Sequence, residues 1–284
     1  KAIKIGVLEQ GIDDYVPARI NVNNKEYKAK IRLKGDWTDH LKGKKWSYRV
    51  KLKGDEKLFG MKKFSLQSPK TRNYINEWVY HKLMKYENIP SLRYKFLNLS
   101  INGNNKGIYA LEEHFDKYLI ENNKFKEGPV IKLSESLRWN NIARARKIYK
   151  RYNLEKDSFC VSEASCKTNL SPKSLSHIEV FTSKKILNTP LLKTQFEKGA
   201  QLLEGFYRGK LSTSNVFDID KLATFLAIND LTNGHHGSVW HNLRFYYNPV
   251  NSKLIPIGFD ALPKNKTLDL LLFENNKTLN FFND

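Results

Sequence analysis

Residues 26–54 read EYKAKIRLKGDWTDHLKGKKWSYRVKLKG. In the last part, WSYRVKLK (46–53), Trp46, Tyr48, Val50 and Leu52 fall on one side and Ser47, Arg49, Lys51 and Lys53 on the other. A period of two, apolar on one face only, marks a strand half-buried on a core. EYKAKIRLK (26–34) reads as its neighbour and VPARINV (16–22) as a further strand. These two meet across Asn23-Asn24-Lys25, where Asn tolerates positive φ. KKFSLQS (62–68) adds another strand, and the turns between them carry Gly35, Gly43, Gly54 and Gly60.

Beyond this sheet, YINEWVYHKLMKYE (74–87) has helical spacing, with Thr71 or Asn73 as cap, Ile75, Val79 and Leu83 along one face, and Pro90 closing it. RYKFLNLSING and NKGIYALEE form a hairpin across Asn102-Gly103-Asn104, and Glu112-Glu113 read as the start of a helical stretch. Helical patterns follow over 114–124, 136–152, 190–209 and 217–234. In the last of these, Asp218 is the cap and Leu222, Phe225, Leu226 and Ile228 the apolar stripe. Residues 153–176, rich in Ser, Asn and Lys, read as an insertion or loop. NLRFYYNP (242–249) and LIPIGFDA (254–261) close the pattern as two strands. The order predicts an α+β fold with two lobes: an antiparallel sheet with one helix over residues 1–113, and a mainly helical lobe over 114–284.

Composition bounds the function. The 284 residues are 40% hydrophobic and 12% aromatic, enough to pack a core, which excludes a disordered or collagen-like chain. No apolar run reaches the roughly 18 residues that span a bilayer. Lys plus Arg total 49 against 29 Asp plus Glu, a net charge of +20 that attracts polyanions. The cations are spread along the chain, with KGKKW (42–46) and ARARKIYKR (143–151) the densest runs, so a solvated basic surface explains them as well as a polyanion site does. Cys160 and Cys166 lack the further ligands of a zinc site and read as a local disulfide or two thiols.

The chemistry concentrates in AINDLTNGHHGSVWHNLRFYYNPVNSKLIPIGFDALP (227–263). A helix ends with Asp230, Asn242 opens a strand, and the returning strand delivers Asp260. Each carboxylate alone reads as a helix-end or hairpin-end residue. Together, an Asp, an Asn and a second Asp in that order supply what phosphoryl transfer needs: one group to orient the attacking hydroxyl, two oxygens for a divalent cation. His235, His236 and His241 lack the helical spacing of a zinc site and read as loop histidines.

IRLKGDW, KKWSYRVKLKG and GMKKFSLQSPKTRNYINEW, then LNLSINGNNKGIYALEEHFDK, then INDLTNG, HNLRFYY and LIPIGFD, resemble the CotH kinase family, spore coat protein H and its relatives. The resemblance covers about 30–125 and 217–262. It implies a two-lobed, protein-kinase-like fold and an ATP-dependent kinase using Mg²⁺ or Mn²⁺, with Asp230 as the catalytic carboxylate and Asn242 and Asp260 as metal ligands. Glu77 would pair with a nucleotide-binding cation. That cation is Arg49 or Lys51, which share a strand face, with Lys51 preferred by strand position. Glu112 and Glu113 fall where the lobes would join and could contact ribose. If Asp230 is not the catalytic group, Asp36 and Asp218 come next. The implied partners are the nucleotide and a hydroxyl-bearing acceptor, a Ser/Thr protein that is basic or Ser-rich, with no DNA and no membrane span expected. The resemblance favours the cell envelope or an extracytoplasmic setting, with the cytoplasm still open. The competing reading is a pseudokinase or an anion-binding module for nucleic acid or acidic glycan.

Overall fold

The computed structural model describes residues 1–9, 11, 14–152 and 176–263. The fold is α+β. Six antiparallel strands form the first sheet: β1 (Val16–Val22), β2 (Lys25–Leu33), β3 (Tyr48–Leu52), β4 (Lys63–Gln67), β5 (Tyr94–Ile101) and β6 (Asn104–Glu113), in the order β1-β2-β3-β4-β6-β5. Asn23 and Asn24 both take positive φ at the first hairpin turn, as do Asn102 and Gly103 at the second. Ala29, Val50, Leu52, Phe64, Leu66, Tyr109 and Leu111 pack one face of this sheet into a core.

Short helix α1 (Ala2–Ile5) precedes the sheet, and α2 (Asn76–Tyr86) is inserted between β4 and β5. After β6 come α3 (Lys117–Asn122), β7 (Val130–Leu133), α4 (Ser136–Tyr152), β8 (Ile178–Val180), α5 (Ser183–Leu187), α6 (Pro190–Tyr207), α7 (Thr213–Val216), α8 (Ile219–Leu231), β9 (Arg244–Asn248) and β10 (Lys253–Pro256). The last four strands form a second sheet in the order β10-β9-β7-β8. The largest core joins α2, α6 and α8 to this sheet through Tyr80, Met84, Leu203, Phe206, Phe217, Phe225 and Phe245.

Three expectations change. Glu112 and Glu113 do not open a helix; they end β6, buried, because Ser65 and Phe64 on β4 pair with them. α2 turns its face: Ile75 and Val79 are exposed, while Glu77, Tyr80, His81 and Met84 are buried. The buried face carries Tyr80 and Met84 into the largest core and places Glu77 where it accepts N–H groups of the segment after β10. Strand β10 stops at Pro256, so Asp260 lies in the loop beyond it. Strands β7 and β8 were not anticipated. The two cysteines and most of the 153–176 stretch lie outside the described residues.

Candidate functional site

Asp260 is shaped by backbone conformation. Ile257 N–H donates to Arg244 O at 2.9 Å and Gly258 N–H to Pro90 O at 2.8 Å, which ties the segment after β10 to both neighbours. Asp260 and Leu262 then take φ of 50° and 49°, the left-handed region that side chains other than Gly seldom occupy. Glu77 from α2 holds this turn, accepting the N–H of Ala261 at 3.2 Å and of Leu262 at 3.0 Å. His236 Nδ1 donates to the Asp260 carbonyl at 2.8 Å. Asn73, itself at positive φ, donates Nδ2 to Pro263 O at 2.7 Å. Such strain persists where the surroundings over-determine it, as at ligand sites.

The turn aims the buried Asp260 carboxylate at Arg72, whose Nε lies 2.8 Å from Oδ1. Neither atom makes a well-directed hydrogen bond, so the contact is chiefly Coulombic. Burial works against the charged carboxylate, but Arg72 and His236 outweigh it and hold its pKa well below the usual range. Asn242 approaches the same His236, donating Nδ2 to its carbonyl at 2.8 Å, with Nδ2 also 3.0 Å from ring Nδ1. These contacts occupy the amide nitrogen and leave Oδ1 available.

Asp260, Asn242 and His236 line a cavity of about 950 Å³ that is also lined by four cations, Arg32, Lys34, Arg49 and Arg72. Lys34 is buried against Glu112 and donates to Gln67 Oε1 at 2.5 Å. Burial pushes the Lys34 pKa down to about 8, Glu112 opposing and Arg72 and Arg49 assisting. Glu112 falls in one cross-strand row with Arg32, Arg49 and Ser65. Asp36 also lines the cavity, its pKa raised to about 6 by burial and by Glu135.

The structure thus gathers Arg49, Asn242 and Asp260 around one cavity, with Glu112 behind Lys34 and Glu77 behind the Asp260 turn. Glu77 contacts backbone rather than a lysine, and burial raises its pKa to about 7. Lys51 is exposed and lines a different groove, because two residues along β3 carry it roughly 6.7 Å beyond Arg49. Glu113 is outside the cavity, paired to Arg93 with Nε–Oε2 of 3.0 Å. Asp230 does not line the cavity either; its Oδ1 lies 3.4 Å from His235 Nδ1, and burial raises its pKa against His235. One residue earlier on α8, Asn229 points inward and accepts from the Tyr80 hydroxyl at 3.3 Å. Asp218 caps α8, accepting from Lys221 N at 3.3 Å.

Lys34 and Arg72 escaped the sequence reading. Their signals were a lysine closing the strand pattern before Gly35, and an arginine in Lys70-Thr71-Arg72-Asn73 just ahead of α2. The two oxygen donors, Asn242 Oδ1 and Asp260, suit a hard divalent cation. Among the described residues no group of three or more His, Cys, Asp or Glu forms a preformed metal cage.

No helix among the described residues is long and apolar enough to cross a membrane. No curated protein matches the chain significantly. The family model described as CotH kinase protein matches residues 31–261, a span that runs from β2 to the Asp260 turn, and the chain belongs to that family.

Proposed function

We propose that the chain is an ATP-dependent kinase that transfers the γ-phosphoryl group to a protein Ser or Thr hydroxyl. The observation that carries this reading is one cavity lined both by Asn242 and Asp260 and by the cations Lys34, Arg49 and Arg72. Phosphoryl transfer is mostly positioning and charge stabilisation, and the two sets of groups supply it. Arg49 and Lys34 bind the nucleotide phosphates; Glu112 keeps Lys34 charged. Asn242 Oδ1 and Asp260 hold the divalent cation, which neutralises phosphate charge when bound. Glu77 fixes the turn that aims Asp260. The acceptor oxygen forms a bond to Pγ, the Pγ–O bond to ADP breaks, and the hydroxyl proton passes to a carboxylate.

Two carboxylates compete for that proton. Asp230 holds the position implied by the family resemblance, while Asp36 lines the cavity with its pKa shifted toward neutrality. An ideal general base titrates near the working pH, which favours Asp36. The test is calorimetric titration with ATP and Mg²⁺ or Mn²⁺, and intact mass after incubation with ATP and a Ser-rich peptide. Gains of phosphate mass support the kinase. Saturable nucleotide binding with no mass gain on protein or peptide supports a pseudokinase, and no nucleotide binding refutes the reading.

A further inference from the structure

The face of the first sheet opposite its core is built of cations. Along β2 and just beyond it, Lys28, Lys30, Arg32 and Lys34 alternate with Ala29, Ile31 and Leu33. On β3 and its end, Arg49, Lys51 and Lys53 alternate with Val50 and Leu52, and β4 adds Lys63. The register stacks these side chains. Arg32 is opposite Arg49, and Lys30 is opposite Lys51, which is opposite Lys63. Like charges directly opposite on neighbouring strands are destabilising. A three-lysine row is therefore not explained by the sheet's own stability.

Nor is the row neutralised. Among the described residues, no carboxylate lies within 4.0 Å of the ammonium groups of Lys28, Lys30, Lys51, Lys53 or Lys63. The exposed lysines could lie apart in solvent, but Lys63 is half-buried, and burial lowers its pKa, with Asp116 opposing and Lys51 and Arg49 adding to the effect. Lys51, Lys62 and Lys63 form one wall of a groove of about 830 Å³. The facing wall, Phe181 to Thr189, adds Lys184 and Lys185, and α3 adds Lys117. Asp116 and Glu127 are the acidic residues lining the groove, and Glu127 is paired with Lys185. Phe181 lines both this groove and the cavity containing Asp260, so the two are adjacent.

We propose that this cationic groove docks an extended acidic segment of the acceptor polypeptide and leads its hydroxyl past Phe181 into the cavity. The proposal rests on the kinase reading for the identity of the acceptor, and it names that acceptor's chemistry. Same-face residues of an extended chain recur about every 6.7 Å, the spacing of cations along β2, so carboxylates at alternate positions find one cation each. A single-stranded nucleic acid would need aromatic platforms for its bases. The cationic rows on β2, β3 and β4 carry none, and the two rings that line the groove are already engaged, Phe181 against Phe115 and Tyr118 beneath Lys57 and Lys117, which favours peptide.

The test uses the full chain and three fluorescein-labelled probes: an eight-residue peptide of alternating Glu and Ser, the same peptide with Lys for Glu, and an eight-nucleotide oligo(U). Anisotropy titrations are run in 50 mM and 300 mM NaCl, for the parent and for the triple variant Lys30→Gln/Lys63→Gln/Lys184→Gln. ATP titration is run on both proteins. The expected result is salt-sensitive binding of the Glu/Ser peptide, weakened about tenfold or more in the variant, as loss of three charge contacts, two exposed and one half-buried, implies. The Lys/Ser peptide should not bind, and ATP affinity should match the parent. Equal affinity of parent and variant for the Glu/Ser peptide overturns the proposal, as does binding of oligo(U) in preference to that peptide. Peptide docking lost in the variant of a protein that never binds ATP leaves the groove assigned and ends the kinase reading instead. Lys63→Met, tested alone, guards against misfolding of the triple variant: it removes the half-buried charge, and its peptide affinity should also fall.

Discussion

Replacing Arg72 by Met removes the charge that faces Asp260 while keeping much of the side-chain volume. Both partners are buried, so the variant strands a carboxylate away from water. Breaking a buried pair from one side typically costs about 3–5 kcal/mol. His236 Nδ1 remains 3.5 Å from Asp260 Oδ1, and Lys34 still attracts it, so the lower end, about 3 kcal/mol at pH 7, is expected. The loss should depend on pH in a definite direction. Asp260 has a folded-state pKa below its unfolded value near 3.8, so its contribution is present above that value and disappears as pH falls through the folded pKa. Without Arg72 the carboxyl protonates more easily, and the Arg72 contribution to holding Glu77 ionised goes too. The gap between parent and Arg72→Met should therefore be widest near neutrality and narrow toward pH 3. Urea unfolding at pH 7, 5 and 3, followed by tryptophan fluorescence, measures it. Arg72→Met/Asp260→Asn should recover about 0.5–3 kcal/mol relative to additivity. A loss that is the same at every pH, with no recovery in the double variant, would show that Arg72 acts by packing alone and would refute the electrostatic account.

Asp260→Ala should abolish Mg²⁺-dependent ATP binding in calorimetry, and Asn242→Ala should weaken it less, since it removes a neutral oxygen donor and keeps the Asp260 carboxylate charge. Asp36→Asn should lower turnover by about 10²–10⁴ with ATP affinity within a few fold, while Asp230→Asn should change turnover little; the reverse order, read by phosphate incorporation, would return the base role to Asp230. ATP affinity should fall as pH rises through about 8, where Lys34 loses its charge, and Lys34→Met should flatten that profile. Gly258→Ala would place a Cβ 2.9 Å from Met84 Cγ, an overpacking that should cost about 1–3 kcal/mol in urea unfolding.

The strands of the first sheet were legible because their alternation is local: each apolar residue between two cations states which way it faces. Asn23-Asn24 and Asn102-Gly103 announced their turns for the same reason, since few other residues accept positive φ. What could not be read was decided by partners distant in sequence. Glu112 and Glu113 look like helix-opening charges until β4 pairs with them. The buried face of α2 carries Tyr80 and Met84 into the largest core and meets the N–H groups of Ala261 and Leu262, which lie 184 and 185 residues from Glu77. In the site, the spacing of Asn242 and Asp260 was visible because both follow from one hairpin. Lys34 and Arg72 were not, since each becomes distinctive only through burial beside a carboxylate contributed by another element. The choice between Arg49 and Lys51 depended on which end of β3 faces the second sheet, and alternation carries no information about that.

The buried charges make the cavity wall a single coupled object. Lys34 pairs with Glu112, Arg72 with Asp260, and Glu77 sits behind both on the Asp260 turn. A hydrophobic replacement of such a network is often as stable or more so, so stability alone does not account for it. Its members are also not interchangeable: burial lowers the Lys34 pKa to about 8, with Glu112 opposing and Arg72 and Arg49 assisting. A triphosphate entering beside Lys34 and Arg49 would supply the missing negative charge. It would thereby raise the Lys34 pKa and ease the repulsion among Arg32, Arg49 and Arg72. Outside the cavity the stacked cations Lys30, Lys51 and Lys63 continue the basic face of the sheet. On the reading proposed above, that face would take two anions, a nucleotide at its inner end and an acidic chain along the rest.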